Sequence, residues 1–296
     1  MKIVFLFILT FLSAIGNCQD VPFNKNYQVA CHNCYMPEYN SLTDVFSFTK
    51  AIEIDIWDNF QGSGSLLRAG KKMNQDWFVK HDFWVKGNLN CCGGSFRDCL
   101  LTIKKWADIH KDHDIITVFI DKKENWSESY ETRKPKDFDE LICSVIGKQN
   151  ILTPSILLAD KTNLKEAVLS NYWPLLDSLK GKFIFVITNG SEFTDRNPLN
   201  EYLFNQNNEA VCFVAPEITS ESEIKSPLGV LPKNAENIIF YNLNYKDRNL
   251  AININSIGCI SRVFNLPIPE TSEAYAELNK DKVNFIVFSN LQINKQ

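Results

Sequence analysis

Two of the chain's four histidines close apolar runs of strand character, His32 in "QVACHNCY" and His81 in "WFVKHDF". An imidazole titrates near neutrality, so two of them flanking one phosphoryl group would form an acid–base pair. A second kind of chemistry is written in "AIEIDIWD", where Glu53 and Asp55 are two residues apart. On a strand that spacing points both carboxylates to one face. Acids at a solvated strand edge are the alternative, but Ile52, Ile54, Ile56 and Trp57 around them argue for a buried strand. Two inward carboxylates then need a cation. Asp121, closing the run "IITVFID", and the amide oxygen of Asn33 complete a ligand set of oxygen atoms. Such a set suits calcium, or alternatively magnesium, rather than zinc. The other two histidines, His110 and His113 in "ADIHKDHD", close a helical pattern, where a cation is favourable near the C-terminus; a surface or core role accounts for them.

The elements that must position these residues are short apolar, β-branched runs: "YQVACHN", "AIEIDIWD", "DWFVKHDF", "IITVFIDKK", "KFIFVITNG", "AVCFVAPE", "NIIFYNLN", "GCISRVFN" and "VNFIVFSNL". Helical spacing recurs between several of them, most clearly in "FRDCLLTIKKWADIHKD", in "TSEAYAELNKDK" and in "NLKEAVLSNYWPLLDSLKGK", which Pro174 divides. Strands apolar on both faces and alternating with helices imply a parallel sheet covered by helices. About eight of them favour a closed, distorted TIM-type (β/α)8 barrel of the α/β class over an open doubly wound sheet. The units between Val211 and Arg262 have short helices at most, and no Gly-rich dinucleotide fingerprint follows any strand. In such a barrel catalytic residues sit at the C-terminal ends of strands. His32, Asn33, Glu53, Asp55, His81, Asp121 and Lys123 all fall at such ends.

A chain of 296 residues, 45% apolar, can bury a large core. Its net charge of −4 with scattered basic residues leaves no footprint for nucleic acid. The opening "MKIVFLFILTFLSAIGNCQD" has a basic start, an apolar run and small residues, so residues 1–18 read as a secretory signal and 19–296 as one domain. The run is shorter than the roughly 20 residues a spanning helix needs. Lipidation of Cys18 is the alternative, with Asn17 a poor residue before it. A secreted, extracellular or periplasmic monomer is expected. Removing Cys18 leaves an even set of thiols with roughly a hundred possible pairings. Cys31, Cys34, Cys91, Cys92 and Cys99 near loops are the better disulfide candidates, and Cys212 and Cys259 read as buried free thiols. Zinc on Cys31 and Cys34 lacks a matching second pair. Asn125 and Asn189 open glycosylation sequons. Trp77, Phe83 and Trp84 are core or a membrane-touching rim, with core favoured.

Together "ACHNCY", "AIEIDIWD", "FVKH" and "CGGSFRDCLLTIKKWADIHKDHDIITVFIDKK" resemble the catalytic half of the phosphatidylinositol-specific phospholipase C superfamily, in its secreted, calcium-dependent form. Later in the chain only "ISRVFN" with Arg262, a closing helix and "VNFIVFSN" carry the likeness. The resemblance implies cleavage of an inositol lipid at a membrane surface by attack of its own inositol 2-hydroxyl. His32 would be base or charge stabiliser and His81 the general acid. Asn33, Glu53, Asp55 and Asp121 would hold the ion, with Lys123 and Arg262 near the phosphate. Asp121 stands where many members carry Glu, which also resembles sphingomyelinase D. "EIDIWD" and "KHD" resemble glycerophosphodiester phosphodiesterases too. A barrel that only binds inositol lipids is a further reading. No Gly-x-Ser-x-Gly elbow offers an enzymic nucleophile.

Overall fold

The structure is a computed structural model, and it describes residues 21–36, 39, 41–58, 76–81, 91, 94–126, 133–170, 173–189, 198–206, 209–267 and 272–289. All nine apolar runs of the sequence form strands: β1 (Gln28–Cys31), β2 (Ala51–Trp57), β3 (Phe78–Val79), β4 (Ile116–Lys122), β5 (Phe183–Thr188), β6 (Phe213–Ala215), β7 (Phe240–Asn244), β8 (Ile260–Phe264) and β9 (Phe285–Phe288). Eight of them run parallel in the order β6-β5-β4-β2-β1-β9-β8-β7, and β3 pairs antiparallel with β2 outside that path. The helices are α1 (Phe96–Ile109), α2 (Pro135–Ile146), α3 (Pro154–Leu158), α4 (Leu164–Leu169), α5 (Pro198–Gln206), α6 (Ser222–Lys225), α7 (Pro232–Ala235), α8 (Leu250–Ser256) and α9 (Ser272–Lys280). This is a single-domain, TIM-type (β/α)8 barrel.

Closure is weakest between β6 and β7, where one bridge, Glu217 with Asn242, replaces a ladder. Asn242 donates its N–H to the carbonyl of Pro216 at 2.9 Å, and Ile218 donates to that of Asn242 at 3.1 Å. Pro216 ends β6 after three residues because it has no N–H to continue a ladder. The irregular stretch expected between Val211 and Arg262 is real: α6 and α7 are four residues each.

The helix α1 begins at Ser95, whose side chain accepts from the N–H of Asp98. His110 accounts for itself locally, stacking on Trp106 at 4.1 Å with Nδ1 2.8 Å from the Trp106 carbonyl. His113 is buried, with Nδ1 2.7 Å from the Asp114 carbonyl. Cys31 pairs with Cys34 and Cys91 with Cys99, so the zinc alternative at Cys31 and Cys34 gives way to a disulfide. Cys212 and Cys259 are buried thiols. Trp77 is core, stacked edge-on against Phe138. Residues 1–18, Cys92, Phe83 and Trp84 lie outside the described residues. No described helix is long and apolar enough to cross a membrane.

Candidate active site

Strand alternation sends Glu53 and Asp55 of β2 into the barrel, and the parallel ladder sets Asp55 opposite Asp121 of β4. The three side chains each offer an oxygen, all within 4.8 Å of one another, and all three residues are buried. Two cations share the space. Lys123 brings Nζ to 3.1 Å from Asp55 and 2.5 Å from Asp121, and Arg262 of β8 pairs with Glu53 while donating to Asn242 Oδ1 at 2.7 Å. Arg262 also lies over the Phe119 ring, 4.9 Å from its centroid, which fixes it in the middle of the barrel.

The turn after β1 answers how two neighbouring residues can serve one site. The strand stops at Cys31, the disulfide to Cys34 closes the turn, and Asn33 adopts φ +55°, a left-handed conformation that asparagine tolerates. His32 and Asn33 therefore converge instead of pointing to opposite faces, and Asn33 Nδ2 sits 3.1 Å from His32 Nε2. The buried Tyr35 hydroxyl donates to Asn33 Oδ1 at 3.0 Å, which orients the amide with its nitrogen toward the imidazole. Nε2 is then the accepting nitrogen of His32, and Nδ1 faces Ser289 Oγ at 3.1 Å as donor. The expected ligand atom of Asn33 thus already carries one hydrogen bond, which leaves it one lone pair.

His81 is positioned by β3, which lies against the end of β2 through the pairs Ile56 with Val79 and Trp57 with Phe78. Trp57 donates its indole N–H to the carbonyl of Lys80 at 2.8 Å, one residue before His81. The His32 and His81 rings meet edge to face with centroids 6.2 Å apart, and His32 Nε2 is 3.5 Å from Glu53 Oε1. Two imidazoles thus stand beside the three acids.

Electrostatics follow from burial. Burial, then the charges of Arg262, His81 and Lys123, hold His32 down to about 3, so its imidazole is neutral at ordinary pH. Burial pushes Asp55 up to about 6 against the pull of Lys123. Burial works against the Lys123 ammonium too, but Asp55 and Asp121 outweigh it and raise that group. Burial lowers Arg262 to about 9, leaving it charged. Three carboxylates against two fixed cations leave one negative charge, and Asp55, fully buried, has an Oδ1 that accepts no hydrogen bond. An all-oxygen set with a buried, unsatisfied carboxylate oxygen fits a divalent metal.

The family profile described as "Phosphoinositide phospholipase C, Ca2+-dependent" matches residues 85–222. Among solved structures, a calcium-dependent phosphoinositol-specific phospholipase C from a Pseudomonas species is similar, with 27% identity, a TM-score of 0.79 and coverage of 91% of this chain and 90% of that one. Its myoinositol complex matches at 28% identity with the same TM-score and coverage. A calcium-dependent phosphatidylinositol-specific enzyme from Streptomyces antibioticus shares the fold at 20% identity and a TM-score of 0.70, covering 90% of this chain and 94% of that one. Sequence profile and fold thus both resemble the phosphoinositide-specific phospholipase C superfamily, the profile over residues 85–222 and the fold over nine-tenths of the chain. No curated protein matches it.

The superfamily profile spans Asp121 and Lys123 but neither histidine, nor Asn33, Glu53, Asp55 or Arg262. Those residues enter through the likeness that extends over nine-tenths of the chain. Lys123 and Arg262, which the resemblance sets beside the phosphate, both have their charged groups on the acids. Tyr35, Trp57 and Asn242 were not singled out by sequence reasoning. Tyr35 had a signal, since it is the polar aromatic two residues after Asn33 in "HNCY"; Asn242 had none, because its partner Arg262 is 20 residues away on the next strand. Asn125 and Asn189 are half-buried, with their side-chain oxygens turned inward.

Proposed function

We propose that this chain is a secreted, calcium-dependent phospholipase C that cleaves the glycerophosphate bond of phosphatidylinositol at a membrane surface. One observation carries the reading: two facing imidazoles beside three converging carboxylates at the mouth of the barrel. His32 Nε2, neutral, exchanges its hydrogen bond from Asn33 for the inositol 2-hydroxyl and accepts that proton as the oxygen bonds to phosphorus. An incoming phosphodiester offsets the charges of Arg262, His81 and Lys123, relieving part of what makes His32 a weak base. His81, as the general acid, gives a proton to the glycerol oxygen as the phosphorus–oxygen bond breaks. Diacylglycerol and a cyclic inositol phosphate leave. Glu53, Asp55, Asp121 and Asn33 would hold a calcium ion, which lowers the pKa of the attacking hydroxyl and offsets charge at phosphorus when bound. Tethering of the nucleophile to the phosphorus supplies the proximity, so no enzymic nucleophile is needed. The two disulfide pairs support an oxidising compartment.

Phosphorus NMR of the early reaction tests this. Phosphatidylinositol should give the cyclic ester first, an analogue lacking the 2-hydroxyl should be inert, and chelation should abolish turnover until calcium is restored. Release of choline or ethanolamine with a cyclic lipid phosphate would assign the same residues a sphingomyelinase D-like reaction instead. Full activity after exhaustive chelation would remove the ion, and inertness toward every lipid would leave a binding protein.

A further inference from the structure

The residues that alternate with the inward acids point the other way, into the layer behind the sheet, and at the mouth end that layer holds a second ion pair. Lys122 Nζ lies 3.1 Å from Asp58 Oδ1, with side-chain exposures of 0% and 1%. Lys122 sits between Asp121 and Lys123, and Asp58 directly follows β2. Lys122 also donates to the backbone carbonyls of Glu124 at 2.5 Å and Asn125 at 3.3 Å, and its ammonium lies 5.0 Å from the centroid of the Trp126 ring. The N–H of Asp58 donates to Glu124 Oε2 at 2.8 Å. All these contacts lie just past the last rung between β2 and β4, where Ile56 pairs with Lys122 and the N–H of Lys123 reaches the Ile56 carbonyl at 3.0 Å.

Burying two ions costs several kcal/mol each, and an apolar pair of similar size commonly holds a fold as well or better. Stability is therefore a poor account of this pair, whereas geometry is a good one. We propose that Asp58 and Lys122 are positioning residues that fasten the ends of β2 and β4 together and so hold Glu53, Asp55 and Asp121 at ion-binding separation. The proposal rests on the reading that these three acids hold a metal. A ligand set works only within a few tenths of an ångström, and among the described residues the β2–β4 ladder has no rung beyond Ile56 and Lys122. The buried pair supplies the next fastening after the ladder stops.

The test reads metal binding without lipid. Calcium affinity of the metal-free chain is measured by calorimetry for the wild type, for Asp58→Asn, for Lys122→Met, and for the double variant Asp58→Val/Lys122→Met, which replaces the pair with apolar volume. The double variant should unfold, metal-free, at or above the wild-type temperature. Its calcium affinity should nevertheless fall about 10- to 100-fold, as for other groups that orient ligands indirectly. The calcium concentration for half-maximal phosphatidylinositol cleavage should rise by the same factor, with KM for lipid at saturating calcium unchanged. If the single variants are too unstable to purify, the double variant decides. Wild-type calcium affinity in a folded double variant overturns the proposal. A wild-type chain that takes up no calcium in the calorimeter overturns the metal reading itself, and is recognised before any variant is compared.

Discussion

Two buried carboxyl clusters in this barrel are built on opposite terms. At the mouth, Asp55 shares space with Glu53, Asp121, Lys123 and Arg262, and its Oδ1 is left without a hydrogen bond. Behind the sheet, Asp139 of α2 has an answer for each oxygen: the Tyr202 hydroxyl donates to Oδ1 at 2.8 Å and the N–H of Val211 to Oδ2 at 3.2 Å. The Tyr202 oxygen in turn accepts the N–H of Cys212 at 2.8 Å. A satisfied cluster ties α2, α5 and the start of β6 together and needs nothing further. An unsatisfied one keeps a vacancy in its hydrogen bonding, which is what a site for an ion requires. Burial alone therefore does not mark function, nor does one unanswered oxygen, which Asp58 also has; three converging carboxylates with an unanswered oxygen among them do.

The same kind of substitution should have opposite effects in the two places, and this is the largest difference expected. Asp55→Asn should abolish calcium binding and lower turnover by on the order of a thousandfold or more, while the metal-free protein melts no lower than wild type. Asp139→Leu should leave turnover per folded molecule unchanged but cost about 3 kcal/mol in denaturant unfolding, because three buried donors, from Tyr202, Val211 and Cys212, lose their acceptor. Calorimetric calcium titration and urea unfolding of both variants check the pair. A destabilised Asp55→Asn with intact calcium affinity would reverse the roles assigned to the two clusters.

How much of this was legible in the sequence divides along the same line. The nine strands were readable because each is a short run apolar on both faces, and the mouth acids were readable because polar residues interrupt those runs at their ends. Glu53 and Asp55 share a face by spacing alone. The Asp139 cluster was not readable: "DFDELICSVI" offers an ordinary acid on an amphipathic helix, and its partners Tyr202 and Val211 lie 63 and 72 residues further on. The Asp58–Lys122 pair was hidden for the same reason, since only the register of β2 against β4 brings those residues together. The convergence of His32 and Asn33 depends on a backbone angle that residue types permit without dictating. Two short helices and a proline-ended strand at the β6–β7 seam have too few residues for a period to show.

A smaller effect separates the proton-transfer group from its support. His81→Ala, as the general acid, should lower kcat on phosphatidylinositol by on the order of a hundredfold, with less loss on substrates carrying a good leaving group. Trp57→Phe keeps an aromatic ring, at the cost of a smaller volume, and removes the N–H that holds the Lys80 carbonyl, so His81 is present and less well placed. That variant should lose about 1 kcal/mol of stability and roughly tenfold in kcat, with calcium affinity unchanged because β2 and its acids stay in register. A fall in calcium affinity instead would show that Trp57 serves the acids of the mouth and not the histidine.

The smallest effect tests whether the satisfied cluster is charged at all. Burial pushes Asp139 up to about 7 against the hydrogen bonds from Tyr202, Val211 and Cys212. An unfolded aspartate titrates near 4, so between about pH 4 and pH 7 the folded chain keeps a proton at Asp139 that the unfolded chain has lost. Stability from this group is therefore fully present below about pH 4, declines as pH rises and levels off above about pH 7. Asp139→Asn cannot titrate and lacks that decline. Urea unfolding of both proteins across this range should show the variant gaining on the wild type with rising pH, with no further change above neutrality. Other titrating groups, Asp55 included, cancel because both chains carry them. A constant difference across the range would mean that the three donors outweigh burial and that Asp139 is ionised throughout. The contrast with Asp55 would then rest on hydrogen bonding alone: two buried carboxylates, one answered by the fold and the other left for an ion.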